Sequence, residues 1–257
     1  MTIFGITGKT DLLGSFSLHV LYARILADYY GFKLNFNCYT NLNDFHDSGA
    51  KDYYLSNKND QEKHFLYRKT ISDALVTTHE QPTVDIGHTS LIEQNILKFG
   101  FTEALKKTQN GIREDILRKL PHQNYIDTTN LIVIHFRSSE VIYMEGRYIH
   151  SSKYADLINS FRKNMPEKEI VVFTGSKPPI THDDFSAFDG LKIYYENDVT
   201  SPNVLEIWRI FIEADILVTA RSGFSYTPAL LRRPDQTTYA AKFWHTCPDY
   251  WNIWYAE

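Results

Sequence analysis

Cysteine is scarce in this chain, and its scarcity excludes several kinds of site. The 257 residues include only Cys38 and Cys247, which cannot supply the closely spaced pairs of a zinc site or a disulfide framework. Long apolar runs are also missing, because no apolar run reaches the roughly 18 residues that a membrane-spanning helix needs. The first residues lack a basic region followed by an apolar run, so we expect no secretory signal. These absences predict a soluble, cytoplasmic protein whose two thiols are reduced.

Positive charge is not in excess. The 27 Lys and Arg residues are outnumbered by 31 Asp and Glu, which gives a formal net charge of -4. Proteins that bind nucleic acid nonspecifically usually carry a basic surface excess, so we expect no nucleic-acid partner. The balance still allows a local basic pocket for a phosphorylated ligand. Aromatic residues, in contrast, are abundant at 14%, and their rings either fill cores or stack on sugars and bases.

The first half of the chain has the pattern of a parallel α/β unit. A short apolar strand at Thr2–Ile6 precedes a loop that contains glycine. Apolar residues then recur at helical spacing from Ser15 to Tyr30, and a second strand is expected at Phe32–Phe36. The other expectations for this half are a polar surface loop at 41–63, a short strand at 74–78, and a helical stretch at 91–117 that breaks near Gly111.

The second half alternates buried strands with helices. The run Asn130–Phe136 is almost continuously apolar, which is typical of a strand that is covered on both faces. Similar strands are expected at 169–173, 191–195, 215–219 and 237–240, with helices at 152–163, 204–214 and 224–231. This alternation predicts a parallel sheet with helices on both faces. We place the boundary between two domains near 125, which gives domains 1–125 and 126–257 of an α/β protein.

Ligands of an open parallel sheet bind outside the carboxyl ends of its strands. In the second half this rule selects four loops, at residues 137–140, 174–177, 196–198 and 220–226.

These loops contain groups that suit an anion. Arg137 and Arg221 can each bind phosphate oxygens with two parallel hydrogen bonds. The segment 174–176 offers small residues and backbone N–H groups. Ser222 and Gly223 open a predicted helix, whose N-terminus favours phosphate. The combination predicts a phosphate site at this edge of the sheet.

Two of these segments resemble motifs of a known enzyme family. Ile134-His-Phe-Arg-Ser-Ser-Glu140 resembles the His-x-Arg-x-x-Asp motif of the fucosyltransferase superfamily with the GT-B fold, with Glu in place of Asp. The segment 215–226 is similar to the late motif of those enzymes, in which a strand ends in a small polar turn. Small glycosyltransferases of large algal viruses have similar short motifs. The chain departs from the family in lacking the Gly-Asn-Gln that often opens the first helix and the second Arg of His-x-Arg-Arg.

The resemblance implies two Rossmann-like halves whose parallel sheets face a central cleft. Residues 1–125 would then receive the acceptor, and residues 126–257 would hold a nucleotide-sugar donor. Arg137 is implied to bind the donor diphosphate, and His135 and Glu140 to shape the site. Together with the loop residues above, the predicted donor site comprises His135, Arg137, Glu140, Thr174, Gly175, Ser176, Arg221, Ser222, Gly223, Phe224, Ser225 and Tyr226.

The expected activity is a metal-independent, inverting transfer of fucose, xylose or a similar sugar from a GDP or UDP donor to a glycan hydroxyl. Negative charge grows on the departing diphosphate, and Arg137 and Arg221 would stabilise it. No Asp-x-Asp, the usual metal-binding motif of the other major glycosyltransferase fold, is present, so we expect no metal and no cofactor. Candidates for the base are Asp73 and Asp85, followed by Glu145.

Two other classes of function are compatible with the sequence. One is a different nucleotide-dependent α/β enzyme, although neither Gly-x-Gly-x-x-Gly nor Gly-x4-Gly-Lys-Ser/Thr occurs. The other is a noncatalytic glycan-binding module, which the aromatic residues would suit. Hydrolysis of the donor would separate a transferase from such a module. The oligomeric state is not readable from the sequence.

Overall fold

The computed structural model describes residues 3–7, 13–37, 58–78, 84–88, 100–122, 126–137, 146–175, 185–196, 198–243 and 245–256. The chain divides into two compact units, Met1–Pro121 and His122–Glu257. Each unit has its own parallel sheet. The expected α/β class is therefore confirmed. Among the described residues, no helix combines the length and the apolar character needed to cross a membrane.

The N-terminal unit has a three-stranded sheet and three helices in its described residues. The strand order is β2-β1-β3, and both pairs are parallel. In chain order the elements are β1 Ile3–Thr7, α1 Leu13–Tyr30, β2 Lys33–Asn37, α2 Lys58–Leu75, β3 Val84–His88 and α3 Phe101–Lys119.

A buried arginine joins the three helices of this unit. Arg24 of α1 bonds Asp28 on the same helix, with its Nε 2.8 Å from each carboxylate oxygen. Its Nη2 lies 2.8 Å from Oδ2 of Asp115 on α3, and its Nη1 donates to the carbonyl of Leu75 at the end of α2 at 3.0 Å. The contacts of Arg24 therefore satisfy its charge and link α1 to α2 and α3.

Several expectations for this half were wrong. The helix α2 begins at Lys58, inside the expected loop, and it continues to Leu75, so no strand lies at 74–78. The helix α3 is continuous through Gly111, because the buried face formed by residues such as Ile112 and Ile116 outweighs the cost of one glycine, about 1 kcal/mol. The strand β3 was not expected at all.

The C-terminal unit has six parallel strands in the order β6-β5-β4-β7-β8-β9. The expected strands and helices are confirmed with ends shifted by one or two residues, and β9 is an addition. In chain order the elements are β4 Leu131–Phe136, α4 Ser152–Asn164, β5 Glu169–Thr174, β6 Lys192–Tyr195, α5 Val204–Glu213, β7 Ile216–Val218, α6 Gly223–Ala229, β8 Thr237–Ala241 and β9 Asn252–Tyr255.

The centre of this sheet is covered on both faces. All six residues of β4 are buried, as are all three of β7, which agrees with their nearly continuous apolar sequence. The helix α5 starts at a capping box in which the Asn203 side chain accepts from two backbone N–H groups and Glu206 bonds back to the Asn203 N–H. The rigid central strands fix the positions of the loops that follow them.

Candidate anion site at the carboxyl edge of the six-stranded sheet

The strand order of the C-terminal unit reverses between β4 and β7. From β4 the chain moves outward to β5 and β6, and it then returns to the other side of β4 to form β7, β8 and β9. The loops after β4 and β7 therefore diverge, and such a switch point leaves a crevice in which ligands of open α/β sheets bind. Arg137 directly follows β4, and Arg221 lies three residues after β7.

Arg221 is buried, with 7% of its surface exposed. Its Nε donates to the carbonyl of Lys242 and its Nη1 to the carbonyl of Gly146, each at 3.0 Å. The guanidinium carbon lies 4.8 Å from the centre of the Tyr255 ring. All three partners are uncharged, and no acidic side chain of the described residues forms an ion pair with Arg221. Within the described part of the chain, its positive charge is thus held in place without a counterion.

Arg137 lies beside Arg221. Its Nη1 donates to the Arg221 carbonyl at 3.5 Å, so two guanidinium groups come from adjacent loops at the switch point. Thr174 is next to this position, because it pairs with Phe136 in the sheet register. The Thr174 side chain is buried and its carbonyl accepts from Glu196 N at 3.2 Å, and the next residue, Gly175, is partly exposed.

His135 precedes these cations in β4 and is uncharged. Its Nδ1 lies 2.7 Å from Oγ of Ser225, and its ring packs between Phe211 and Phe224 at 5.8 and 5.5 Å. Burial, together with the nearby charge of Arg137, lowers the pKa of His135 to about 3. The imidazole is therefore neutral at physiological pH.

The structure at the start of α6 corrects the predicted placement of Ser225 and Tyr226 in the donor site. Ser222 caps the helix, with its Oγ accepting from Phe224 N at 3.2 Å, and Gly223 and Phe224 are partly exposed. Ser225 is completely buried, and Tyr226 is 4% exposed. The Tyr226 hydroxyl donates to the carbonyl of Thr246, and its ring packs against Trp251. Ser225 and Tyr226 therefore support the loop from inside and do not line an open pocket.

Asp73 does not have the surroundings expected of a base. It lies near the end of α2, is exposed, and forms an ion pair with Lys69 at 2.7 Å. The residues that follow α2 bond to Leu34, near the amino end of β2, so Asp73 lies toward the edge where the strands begin. Asp85 pairs with Gly5 in the middle of the sheet, and His88 pairs with Thr7 at the carboxyl ends. The side chain of Asp85 lies outside the described residues.

Two other arginines of the C-terminal unit make contacts within the fold, and several predicted site residues are not described. Arg209 forms an ion pair with Glu213, four residues later in the chain, at 3.1 Å. Arg147 lies over the Phe243 ring at 5.8 Å. Glu140, Glu145, Ser176 and Lys177 lie outside the described residues. Within the described part of the chain, no three His, Cys, Asp or Glu side chains come together as a metal site would require.

The aromatic C-terminus supplies contacts that sequence reasoning missed. Trp254 Nε1 donates to the Thr219 carbonyl at 3.3 Å, and its ring lies 4.5 Å from that of Tyr154. Tyr255 lies under Arg221. The density of aromatic residues near the C-terminus was the available signal, but the sequence did not indicate which cation they would contact.

Comparisons with known proteins find similarity to solved structures alone. No family model and no curated protein matches the chain. The structure of E. coli heptosyltransferase WaaC with ADP is similar to the chain with 12% sequence identity and a TM-score of 0.47, over 93% of this chain and 87% of that one. A likeness below 0.5 carries no inference, so the function proposed below rests on the site itself.

Proposed function

We propose that the C-terminal unit binds the diphosphate of a nucleotide-sugar and that the protein is a glycosyltransferase. The observation that supports this is the pair of adjacent arginines at the switch point of the six-stranded sheet, of which Arg221 is buried without an acidic partner among the described residues. A buried charge without a counterion is costly. A diphosphate at the crevice would provide the missing negative charge.

The chemistry of glycosyl transfer uses such a site. The bond between the sugar and the diphosphate breaks through an oxocarbenium-like state while negative charge grows on the leaving group. Fixed donors aimed at growing charge are commonly worth roughly 2.7–4 kcal/mol each. In this proposal Arg137 contacts the diphosphate directly. Arg221 contributes its field and the N–H groups that Gly146 and Lys242 do not use.

The finer features of the reaction belong to the same proposal. Transfer proceeds with inversion and without a metal, from a GDP or UDP donor that carries fucose, xylose or a similar sugar, to a glycan hydroxyl. The acceptor binds the N-terminal unit, and Asp85 takes the acceptor proton. The resemblance to fucosyltransferases supports this version, and Asp85 is preferred to Asp73 because of the exposed ion pair at Asp73.

A ligand screen by thermal shift tests the proposal. The protein is heated with GDP, UDP, GDP-fucose, UDP-xylose and NADH, each with and without EDTA. A ligand at roughly 100 times its dissociation constant adds about 2.7 kcal/mol of stability. We expect one nucleoside diphosphate and its sugar to stabilise the protein in EDTA, and release of the free nucleotide when the sugar donor is incubated with the enzyme. If none of the nucleotides stabilises the protein, the proposal is contradicted and a glycan-binding module is favoured.

The strand order favours one alternative. The order β6-β5-β4-β7-β8-β9 corresponds to the 3-2-1-4-5-6 order of dinucleotide-binding folds. Against this alternative, β4 is followed by Arg-Ser-Ser-Glu and not by the glycine-rich turn that lets a pyrophosphate approach the backbone. Stabilisation by NADH and not by GDP or UDP would favour a dinucleotide-dependent enzyme.

A further inference from the structure

The Ser225 hydroxyl is completely enclosed, and its hydrogen bonds can be accounted for. The residue is 0% exposed. Its Oγ has two partners in the structure, the backbone N–H of Ala220 at 3.3 Å and Nδ1 of His135 at 2.7 Å. The Ala220 N–H can only donate. The hydroxyl proton therefore has one acceptor among the described residues, which is Nδ1 of His135.

This arrangement determines which ring nitrogen of His135 carries the proton. A neutral imidazole has one N–H and one nitrogen that accepts. Because Nδ1 accepts from the Ser225 hydroxyl, the proton of the ring lies on Nε2. Nε2 has no hydrogen-bond partner among the described residues. It is also not completely enclosed, since the fully enclosed polar atoms that lack a partner do not include it. The small exposed fraction of His135, 7%, therefore includes Nε2.

The surroundings of His135 keep the ring neutral and fixed. The charged group on its own strand is Arg137, which disfavours a second positive charge. The ring contacts from α5 and α6 are apolar, Phe211 and Phe224. From α4, the Tyr154 hydroxyl donates to the His135 carbonyl at 3.5 Å, and burial raises the pKa of Tyr154. No acidic side chain of the described residues pairs with the ring.

We propose that Ser225 is a positioning residue that fixes His135 as the Nε2–H tautomer, and that this N–H donates a hydrogen bond to a diphosphate oxygen of the donor. The second part rests on the proposed function, and the first does not. The site then combines the charge of Arg137 with a neutral donor from the same strand end. A neutral donor retains its proton over the whole physiological pH range, and it adds no repulsion to the neighbouring guanidinium group of Arg137.

The tautomer is tested on the protein without ligand. Long-range 15N–1H NMR spectra of the imidazole rings, with His135 assigned by its loss in His135→Gln, report which nitrogen is protonated. We expect protonated Nε2 and unprotonated Nδ1 from pH 5 to pH 8. In Ser225→Ala we expect a mixture of tautomers. A ring protonated at Nδ1 in the wild type, or a tautomer unchanged in Ser225→Ala, would overturn the positioning role.

The contact with the ligand is tested by affinity for the nucleoside diphosphate that the screen identifies, GDP or UDP. Glutamine can place an amide N–H near the position of Nε2, whereas asparagine places its amide near Nδ1. A hydrogen bond to a charged group implies that His135→Asn weakens binding about tenfold or more, and that His135→Gln retains more affinity than His135→Asn. Ser225→Ala should weaken binding less than His135→Asn. The matched control Ser160→Ala, on the exposed face of α4, leaves affinity unchanged.

The outcomes separate the two proposals. If no nucleotide binds the wild type, the proposed function fails, while the tautomer result still tests the role of Ser225. If a nucleotide binds and His135→Asn and His135→Gln bind equally well, the contact between His135 and the diphosphate is excluded. Denaturant unfolding of each variant distinguishes weak binding from loss of the folded protein.

Discussion

Two arginines are equally buried in the two units of this protein, and their partners differ. Arg24 in the N-terminal unit and Arg221 in the C-terminal unit are both 7% exposed. Arg24 bonds two carboxylates, those of Asp28 and Asp115. Arg221 bonds two backbone carbonyls and an aromatic ring. The first cation is neutralised inside its unit, whereas the second has no acidic partner among the described residues and lies at the edge of the sheet where ligands of open α/β folds bind.

The difference shows how a structural arginine and a candidate binding arginine can be distinguished. Burial is the same at both sites, and the charge of the hydrogen-bond partners separates them. Burial raises the pKa of Asp28 in spite of its contact with Arg24, so desolvation is costly even where the partner is present. A bound anion therefore stabilises a buried arginine most when that arginine lacks a carboxylate partner.

Loss of Arg24 should have the largest effect on stability. In Arg24→Ala, Asp28 and Asp115 lose their common partner and three helices lose their link, so we expect a loss of about 2–4 kcal/mol in the free energy of unfolding. Urea denaturation measures it. The control Arg233→Ala removes an exposed ion pair with Asp235 and should change stability little. Equal stability of the two variants would contradict the structural role of Arg24.

Loss of Arg221 should reduce both stability and binding. Arg221→Ala removes two hydrogen bonds to neutral carbonyls and the contact to Tyr255, and we expect a total loss of about 1.5–3 kcal/mol in the free energy of unfolding. It also removes the uncompensated charge, so nucleotide stabilisation should disappear. Urea denaturation with and without the nucleotide measures both effects. A variant that loses stability but binds the nucleotide normally would make Arg221 a purely structural residue.

Loss of Arg137 should reduce binding alone. This side chain is only half-buried, and it donates a long hydrogen bond to the Arg221 carbonyl. We expect Arg137→Ala to weaken nucleotide binding about 10- to 100-fold with little change in Tm, and Arg137→Lys to restore part of the affinity. Calorimetric titration gives the dissociation constants. Unchanged affinity in Arg137→Ala would remove Arg137 from the site.

His135 should also contribute to the pH dependence of stability. The unfolded chain takes up a proton at this residue near pH 6.5, and the folded protein does so only near pH 3. Between these values the unfolded state binds more protons, so stability falls as the pH is lowered, by about 1.4 kcal/mol per pH unit. The neutral variant His135→Gln should lack this part of the slope. Identical slopes between pH 6 and pH 4 would show that His135 titrates normally.

The same two units differ in how much of the fold could be predicted. In the C-terminal unit the strands β4, β5 and β7 are covered on both faces, so their sequences are continuous apolar runs with clear ends. In the N-terminal unit, α2 begins in a polar, charged segment that is typical of a loop, and tertiary packing of residues such as Ile71 decides its structure. The strand β3 contains Asp85 and Gly87, which do not indicate a strand.

The candidate site, too, could be predicted only in part from the sequence. The rule for carboxyl ends of parallel strands was sufficient to predict that Arg137 and Arg221 lie together. It could not show that Ser225 and Tyr226 face the interior, because their partners His135 and Thr246 are distant in the sequence. Asp73 was assigned from a strand that does not exist, and its surface ion pair with Lys69 follows from its helical spacing.

The most direct test of the distinction between the two arginines is an NMR titration with the nucleoside diphosphate that binds. Side-chain Nε–Hε signals of arginine report local contacts and charge. We expect the signals of Arg137 and Arg221, and the backbone signals of Ala220 and Ser222, to shift on binding, while the Arg24 signal does not move. Shifts centred on Arg24, or no shift of Arg137 and Arg221 at saturation, would contradict the assignment of the anion site to the carboxyl edge of the six-stranded sheet.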